Sequence, residues 1–443
     1  MNVMNPTGGA ISRPVINSSV FPLYSLKDVL STENIRSAWK QVRGNRGAPG
    51  IDDLSVDVFP TQVRPKWMEI KRQILAGEYF PQPVKRVEIP KANGGIRLLG
   101  IPTVQDRLLQ QGVSQVLGPV VDPTFSVSSF GFRPDCSASQ AVTRILDGFN
   151  QGYSIAADID LEQFFDTVSH RVLMSRVCRH IQDKGLLQLI RRFLRSGIKV
   201  KGRLNQTRRG VPQGGPLSPL LSNILLDDLD KELEKRGHKF ARYADDVMIL
   251  VKSKRAGERV MRSITRFLEK TLKVKVNQDK SKVARLEERS FLGFQFRRKK
   301  FWASEKSVQK FKQKVRELSS RSWGVSMEYR FISLKQYIQG WMAYYAIGLK
   351  YDDAVELDHW LRRRIRMCYW KQWKRPRTRI RELLKRGAPK HQAILTGLSR
   401  KGYWRLSKTS AMNAGLGNQY LEKQGLVSIK DLWIKSHYPT TVR

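Results

Sequence analysis

Two adjacent carboxylates, Asp245 and Asp246, sit between the strand-like runs KFARY and VMILV. Both flanks read as strands, so the pair lies at or beside a hairpin turn. An isolated Asp-Asp is most often an ordinary turn, since short polar side chains close turns well. Here the surroundings are apolar, and two like charges at such a tip repel unless a cation sits with them. A divalent ion held by oxygen ligands removes that cost. A second acidic strand end, AADIDLEQFF, places Asp158 and Asp160 after Ile155, Ala156 and Ala157. If this strand lies beside the hairpin, one of its aspartates joins Asp245 and Asp246. Three carboxylates can hold two Mg²⁺ ions, one activating an attacking hydroxyl and the other stabilising a leaving pyrophosphate.

The elements that must position these groups are legible along the chain. Residues 84–102 alternate apolar and polar types around Asn93-Gly94-Gly95, a hairpin signal. The segment TVQDRLLQQGVSQVLGPVV reads as a long helix, and Ser137 or Ser139 caps another. Ile155 to Ile159 reads as a buried strand running through a turn into a helix, and RGVPQGGPLSPLLSN as a Gly/Pro loop opening a long helix. Near the N-terminus, GNRGAPGIDDLSV is a loop whose glycines lack the GxGxxG spacing of a dinucleotide site. Beyond about Trp302 strand signals fade, and helical segments rich in Arg and Trp take over. The expected fold class is α+β followed by an all-α region.

The chain has 443 residues, enough for two or three domains, and Lys plus Arg outnumber Asp plus Glu by 81 to 39. A net charge of +42 makes nucleic acid the default partner. The length and the apolar segments spread along the whole chain argue against a mere basic tail. The three cysteines, Cys136, Cys178 and Cys368, form no CxxC pair, which argues against a zinc knuckle or disulfide framework and for a reducing, cytoplasmic compartment. No apolar run approaches a membrane span, so no membrane partner is expected. The first 25 residues read as a polar tail without the pattern of a signal peptide.

Taken together these segments resemble, in order, the fingers and palm blocks of reverse transcriptases of the group II intron type. YADD resembles the YxDD box, which includes Tyr243, and DLEQFFD matches the family's D-h-x-x-x-F-D pattern. That match selects Asp160 over Asp158 as the first metal ligand. It also sets Phe165 where the family keeps an aromatic under the incoming sugar, excluding a 2′-OH. PKANGGIRLLGIPTVQDRLLQ resembles the fingers block, in which Lys91 and Arg97 would reach the triphosphate. Gln213, in RGVPQGGPLSPLLSN, falls in the block whose Gln lies near the nucleotide. The implied architecture is a right-hand polymerase: a tail at 1–25, an N-terminal extension at 26–85, fingers and palm at 86–300, a helical thumb and maturase-specific region at 301–395, and a basic nucleic-acid-binding segment at 396–443.

In the thumb-like region Leu357, Leu361, Ile365 and Cys368 recur at helical spacing as a buried stripe. Arg362, Arg363 and Arg366 fall off the stripe and are expected to face phosphates. Trp360, Trp370 and Trp373 are expected in the core rather than stacked on bases. His391 and His437 stand apart and Cys368 is the last cysteine, so the HNH nuclease of many relatives is not expected. The resemblance implies RNA-directed DNA synthesis with Mg²⁺, with dNTPs, an RNA template, a DNA primer or target and the parent intron RNA as partners. It further implies splicing assistance and retrohoming, with a homodimer left open. The rival readings are a reverse transcriptase domesticated for phage defence, DNA repair or CRISPR spacer capture, and an RNA-binding maturase with a dead polymerase site.

Overall fold

The computed structural model describes residues 24–90, 95–200, 203–205 and 209–439. Its centre is a four-stranded antiparallel sheet. With strands numbered along the chain, β1 is Val84–Pro90, β2 Ile96–Ile101, β3 Ile155–Ile159, β4 Ile198–Val200, β5 Arg203–Asn205, β6 Lys239–Tyr243, β7 Asp246–Val251 and β8 Lys282–Arg285. The central sheet has the order β6-β7-β3-β8, so the two acidic strand ends are direct neighbours. Side chains alternate across it. Ala156, Ala241, Met248 and Leu250 pack against the Ala138–Asn150 helix through Ala141, Val142 and Ile145. Ala157, Ile159, Val247, Ile249 and Val251 join a larger core with Leu221 and Leu225 of the Ser218–Lys235 helix and Ile264 of the Lys254–Phe267 helix. Burial on both faces explains why VMILV is a continuous apolar run rather than an alternating one.

A second sheet, β2-β1-β4-β5, carries the 84–101 hairpin, whose register runs from Lys85 opposite Ile101 to Pro90 opposite Ile96. Its turn, with Lys91 and Asn93, lies outside the described residues. The expected long helix spans Val104–Val121, capped by Thr103. Beneath its start Asp106 is buried and accepts bonds from Tyr79 Oη at 2.7 Å, Thr103 Oγ1 at 2.7 Å and the Gln82 amide at 3.1 Å. Burial pushes this carboxyl up to about 6, against the pull of those bonds. The 26–74 segment shares the large core, through Leu30, Ala38, Val42 and Ile74.

Three short strands, β9 Ser290–Phe291, β10 Phe294–Arg297 and β11 Lys300–Ala303, form a third sheet and lead into the helices. The last strand ends at Ala303, and the helices follow. The helices include Glu305–Leu318, Met327–Tyr345, Tyr351–Gln372, Pro376–Lys385, Lys390–Leu398 and Ile429–His437. One apolar cluster runs through all of this region, from Phe311 and Leu361 to Leu406, Met412, Leu421 and Ile429. Residues 396–439 are therefore packed into the helical body that precedes them, not appended to it. Among the described residues no helix is long and apolar enough to cross a membrane.

Candidate active site

The β3–β7 register pairs Asp158 with Met248 and Ile159 with Val247. Carried one residue further, it sets Asp160 across from Asp246. Asp245 occupies the two-residue turn with Ala244, and Asp246 opens β7 opposite Tyr243, so only the first of the two aspartates is a turn residue. Burial, then Asp245, Asp158 and Asp160, push the Asp246 carboxyl up to about 6. Its outer edge is exposed all the same, which makes like charge as well as desolvation part of the cause. Lys280 Nζ approaches Asp160 at 3.3 Å, and the Asp160 backbone is pinned by Ser281 Oγ at 3.0 Å and the Asn277 amide at 2.9 Å.

Asp158, the rival first ligand, is paired with Arg289, whose Nε lies 3.1 Å from it. Burial still raises its carboxyl. The side chain is thus engaged by a guanidinium, although it lies near enough to Asp246 to help raise that carboxyl. As placed, no three His, Cys, Asp or Glu side chains among the described residues converge closely enough to hold a metal ion. The donor chemistry of Asp160, Asp245 and Asp246 nonetheless suits a hard divalent cation: acceptor-only oxygens, mutual repulsion, and a raised carboxyl that a cation would bring down.

The turn itself is held from below. Arg242 is fully buried and donates to both oxygens of buried Asp230, Nε to Oδ1 at 2.8 Å and Nη2 to Oδ2 at 2.6 Å. Its Nη1 donates to Asn223 Oδ1 at 2.9 Å and to the Ala244 carbonyl at 3.0 Å, and its Nη2 to Ser129 Oγ at 2.7 Å. Asn223 in turn donates to the Gly131 carbonyl at 2.9 Å. Ala244 is left-handed, with φ 58°, and a Cβ on Gly131 would meet its backbone nitrogen at 2.2 Å. A left-handed alanine is strained, and this clamp offsets the strain. Nothing in the spacing around YADD singled out Arg242; only its burial and partners do.

A cavity of about 560 Å³ opens beside the turn, lined among others by Asp245, Phe165, Gln213, Arg107 and Phe132. Phe165 is half-buried and stands edge-on to Phe164, with centroids 5.3 Å apart. Its carbonyl accepts from the Val211 amide, and the Gln213 carbonyl accepts from Gly100, which ties the DLEQFFD and PQGG segments to each other and to β2. Gly214, at φ 117°, lets that backbone pass against Gly100. Arg107 was missed by the sequence reading. It is buried, donates to the Ala48 carbonyl at 2.8 Å and has no partner for its Nε. Arg97 lies on β2 opposite Ile89, and Lys91 is outside the described residues.

Of the three thumb-region arginines, Arg362 departs from the expectation, and Arg363 and Arg366 are half-buried without an acidic partner among the described residues. Arg362 was expected to face phosphates, yet it is 8 % exposed and paired with Asp358 at 2.7 Å. Arg363 lies over the Trp404 ring at 3.7 Å and donates to the Trp404 carbonyl at 2.8 Å. Arg366 donates to the Leu416 carbonyl at 3.0 Å. The helix is wrapped on a second side by residues 403–439, so positions off its main stripe are covered too. Leu357, Leu361, Ile365 and Cys368 are buried as expected, and so are Trp370 and Trp373, with Trp360 half-buried against the same core.

Residues 89–296 match the family "Reverse transcriptase (RNA-dependent DNA polymerase)", and residues 308–387 match "Group II intron, maturase-specific domain". Protein YkfC of Escherichia coli is 31 % identical over 317 residues, which cover 62 % of this chain and 83 % of that protein. The group II intron-encoded protein LtrA of Lactococcus lactis is 37 % identical over 208 residues, 46 % of this chain but only 34 % of LtrA. Among solved structures, telomerase from Candida albicans gives a TM-score of 0.42 at 15 % identity, covering 79 % of this chain and 68 % of that one. The chain belongs to the group II intron reverse transcriptase/maturase family, with a reverse transcriptase domain followed by a maturase-specific domain.

Proposed function

We propose that this protein is an RNA-directed DNA polymerase that binds its own intron RNA, assists its splicing and copies it from a primed DNA target during retrohoming. The observation that carries the polymerase reading is the register that sets Asp160 across from Asp246, with Asp245 in the adjoining turn and the nucleotide-sized cavity beside it. Asp160, Asp245 and Asp246 would hold Mg²⁺, which when bound polarises the α-phosphate and favours the ionised primer 3′-hydroxyl. The chain's own groups do the positioning. Phe165 forms the floor under the sugar and excludes a 2′-OH by steric clash. Gln213 and Tyr243 border the nucleotide, and the family resemblance gives Lys91 and Arg97 the triphosphate. The reaction is attack of the primer 3′-OH on the α-phosphate of a dNTP, with pyrophosphate leaving.

Splicing and retrohoming rest on the maturase-specific match and on the basic surface, and the site of action is the bacterial cytoplasm or its DNA. The palm, fingers and thumb of a right hand correspond in this reading to the two sheets of residues 84–285 and the helices after Ser304. The test is primer extension on an RNA template with Mg²⁺ and either dNTPs or rNTPs, using the native chain and Asp245→Ala combined with Asp246→Ala. DNA product that disappears in the double variant supports the reading. A native chain that binds structured RNA but extends nothing leaves only the maturase role.

A further inference from the structure

The C-terminal end of the Tyr351–Gln372 helix, the start of the Pro376–Lys385 helix and the 399–403 loop enclose a cavity of about 540 Å³. Six cations line it: Arg321, Lys371, Lys374, Arg379, Arg400 and Lys401. No carboxylate lines it, and among the described residues none of the six has an ion-pair partner. The local sequence offers almost none. From Leu361 to Tyr420 there are seventeen Lys and Arg and one acid, Glu382, which is held by Arg386 at 2.6 Å. Like charges gathered around one concavity repel each other, and a polyanion is the ligand that relieves this.

Two of the six are pre-set. Arg379 lies over the Trp370 ring at 4.6 Å and donates its Nε to the Trp373 carbonyl at 2.9 Å. Arg321 lies over the Tyr403 ring at 3.3 Å. A guanidinium stacked on a ring keeps its in-plane N–H edges free, and that fork matches two phosphate oxygens. The stacking also decides what the cavity reads. Trp370 is buried, and the Tyr403 ring, though 39 % exposed, gives a face to Arg321, so cations outnumber the aromatic surface open to a base. Lys371, Lys374, Arg400 and Lys401 are exposed around the rim, suited to neighbouring phosphates rather than to a single small anion.

We propose that this cavity binds a short run of nucleic-acid phosphodiesters, making a second contact for the nucleic acid away from the carboxylate centre. The inference rests on the nucleic-acid function proposed above but not on polymerisation. RNA and DNA present the same phosphodiester chemistry, and the experiment distinguishes them. The full-length protein carrying K371Q, K374Q, R400Q and K401Q is compared with a variant that neutralises four exposed cations on another face, K254Q, R255Q, R259Q and R262Q. A third variant keeps the charges, K371R with K374R, R400K and K401R. Fluorescence anisotropy measures the affinity for a blunt RNA duplex and for a DNA duplex of the same sequence across a salt series, without nucleotides.

The cavity variant should flatten the slope of log affinity against log salt by about three, since each lost phosphate contact removes roughly one. The control set should change it by less than one, and the charge-keeping variant should behave as the native chain. Loss with both duplexes, or with one alone, supports the site and names its source. An equal loss in the control set, or no loss with either duplex, overturns it. Melting curves of all variants exclude unfolding as the cause. Because binding is read without dNTPs, its failure is separate from any failure of primer extension.

Discussion

The carboxylate end of the central sheet and the helical region after Ser304 treat charge in opposite ways. In the first, charged side chains are few, near one another and paired: Asp158 on half-buried Arg289, Asp160 near exposed Lys280, and Arg242 on fully buried Asp230. In the second, cations far outnumber acids, and several arginines rest on aromatic rings instead: Arg363 on Trp404, Arg321 on Tyr403, Arg379 on Trp370. Chemistry at a phosphorus atom needs carboxylates placed to a fraction of an ångström, which only a dense buried network provides. Holding a long polyanion needs many positive charges left unpaired, and stacking fixes a guanidinium without neutralising it.

The sharpest break would come at the first carboxylate. Asp160→Ala should lower the primer-extension rate by about 10⁴-fold or more, whereas Asp158→Ala should act mainly on stability by stranding Arg289. Equal rate losses in the two variants would overturn the assignment of Asp160. Both variants should bind RNA as the native chain does, because the helical region is untouched.

Next in size is the clamp under the turn. Arg242→Met leaves Asp230 buried and unpaired, and denaturant unfolding should show a loss of about 3–5 kcal/mol. Arg242→Met with Asp230→Leu should regain most of that stability and still extend primers poorly, since the Ala244 carbonyl loses its donor. If the double variant polymerises normally, the clamp is structural only.

Asp106 gives a pH signature. Its folded value of about 6 lies above that of an unfolded aspartate, 3.8. The sign is therefore unfavourable at neutral pH: stability from this group is present below about 4 and is lost as pH rises through 6. Asp106→Asn removes the titration. Its stability relative to the native chain should improve between pH 4 and 7 by up to about 3 kcal/mol, on top of a constant loss from the bonds to Tyr79 and Thr103. A pH-independent difference in urea midpoints would contradict this.

The smallest effect is expected at the half-buried arginine stack. Arg363→Lys keeps the charge but loses the planar stack and the bond to Trp404. It should cost about 1 kcal/mol in thermal unfolding, with little change in the salt slope of RNA binding. A large change in that slope would place Arg363 among the phosphate contacts after all.

Much of the central sheet was legible in advance because its signals are local. The run at 155–159, the two apolar arms around Asp245 and the Gly/Pro loop before Ser218 each announce their own element through residue type and period. The charged residues Arg242, Lys280 and Arg289, and Arg107 within the fingers-like segment, help organise the site but carry no such signal. A basic residue one position before YADD looks like any of the chain's 81 Lys and Arg. Arg362 shows the same limit from the other side. Helical spacing put it off the buried stripe, but spacing describes one helix face and knows nothing of the segment that folds back over the other.

By itself, then, the sequence determined the order of elements, the change of texture near Trp302 and the candidate carboxylates, since these depend on neighbours along the chain. The tertiary structure decided which aspartate faces Asp246, what holds the left-handed Ala244 and which arginines are left for a ligand. Those outcomes depend on strand register and on contacts between residues far apart in the chain, such as the 131 positions between Asp158 and Arg289, and no local pattern encodes a pairing at that distance.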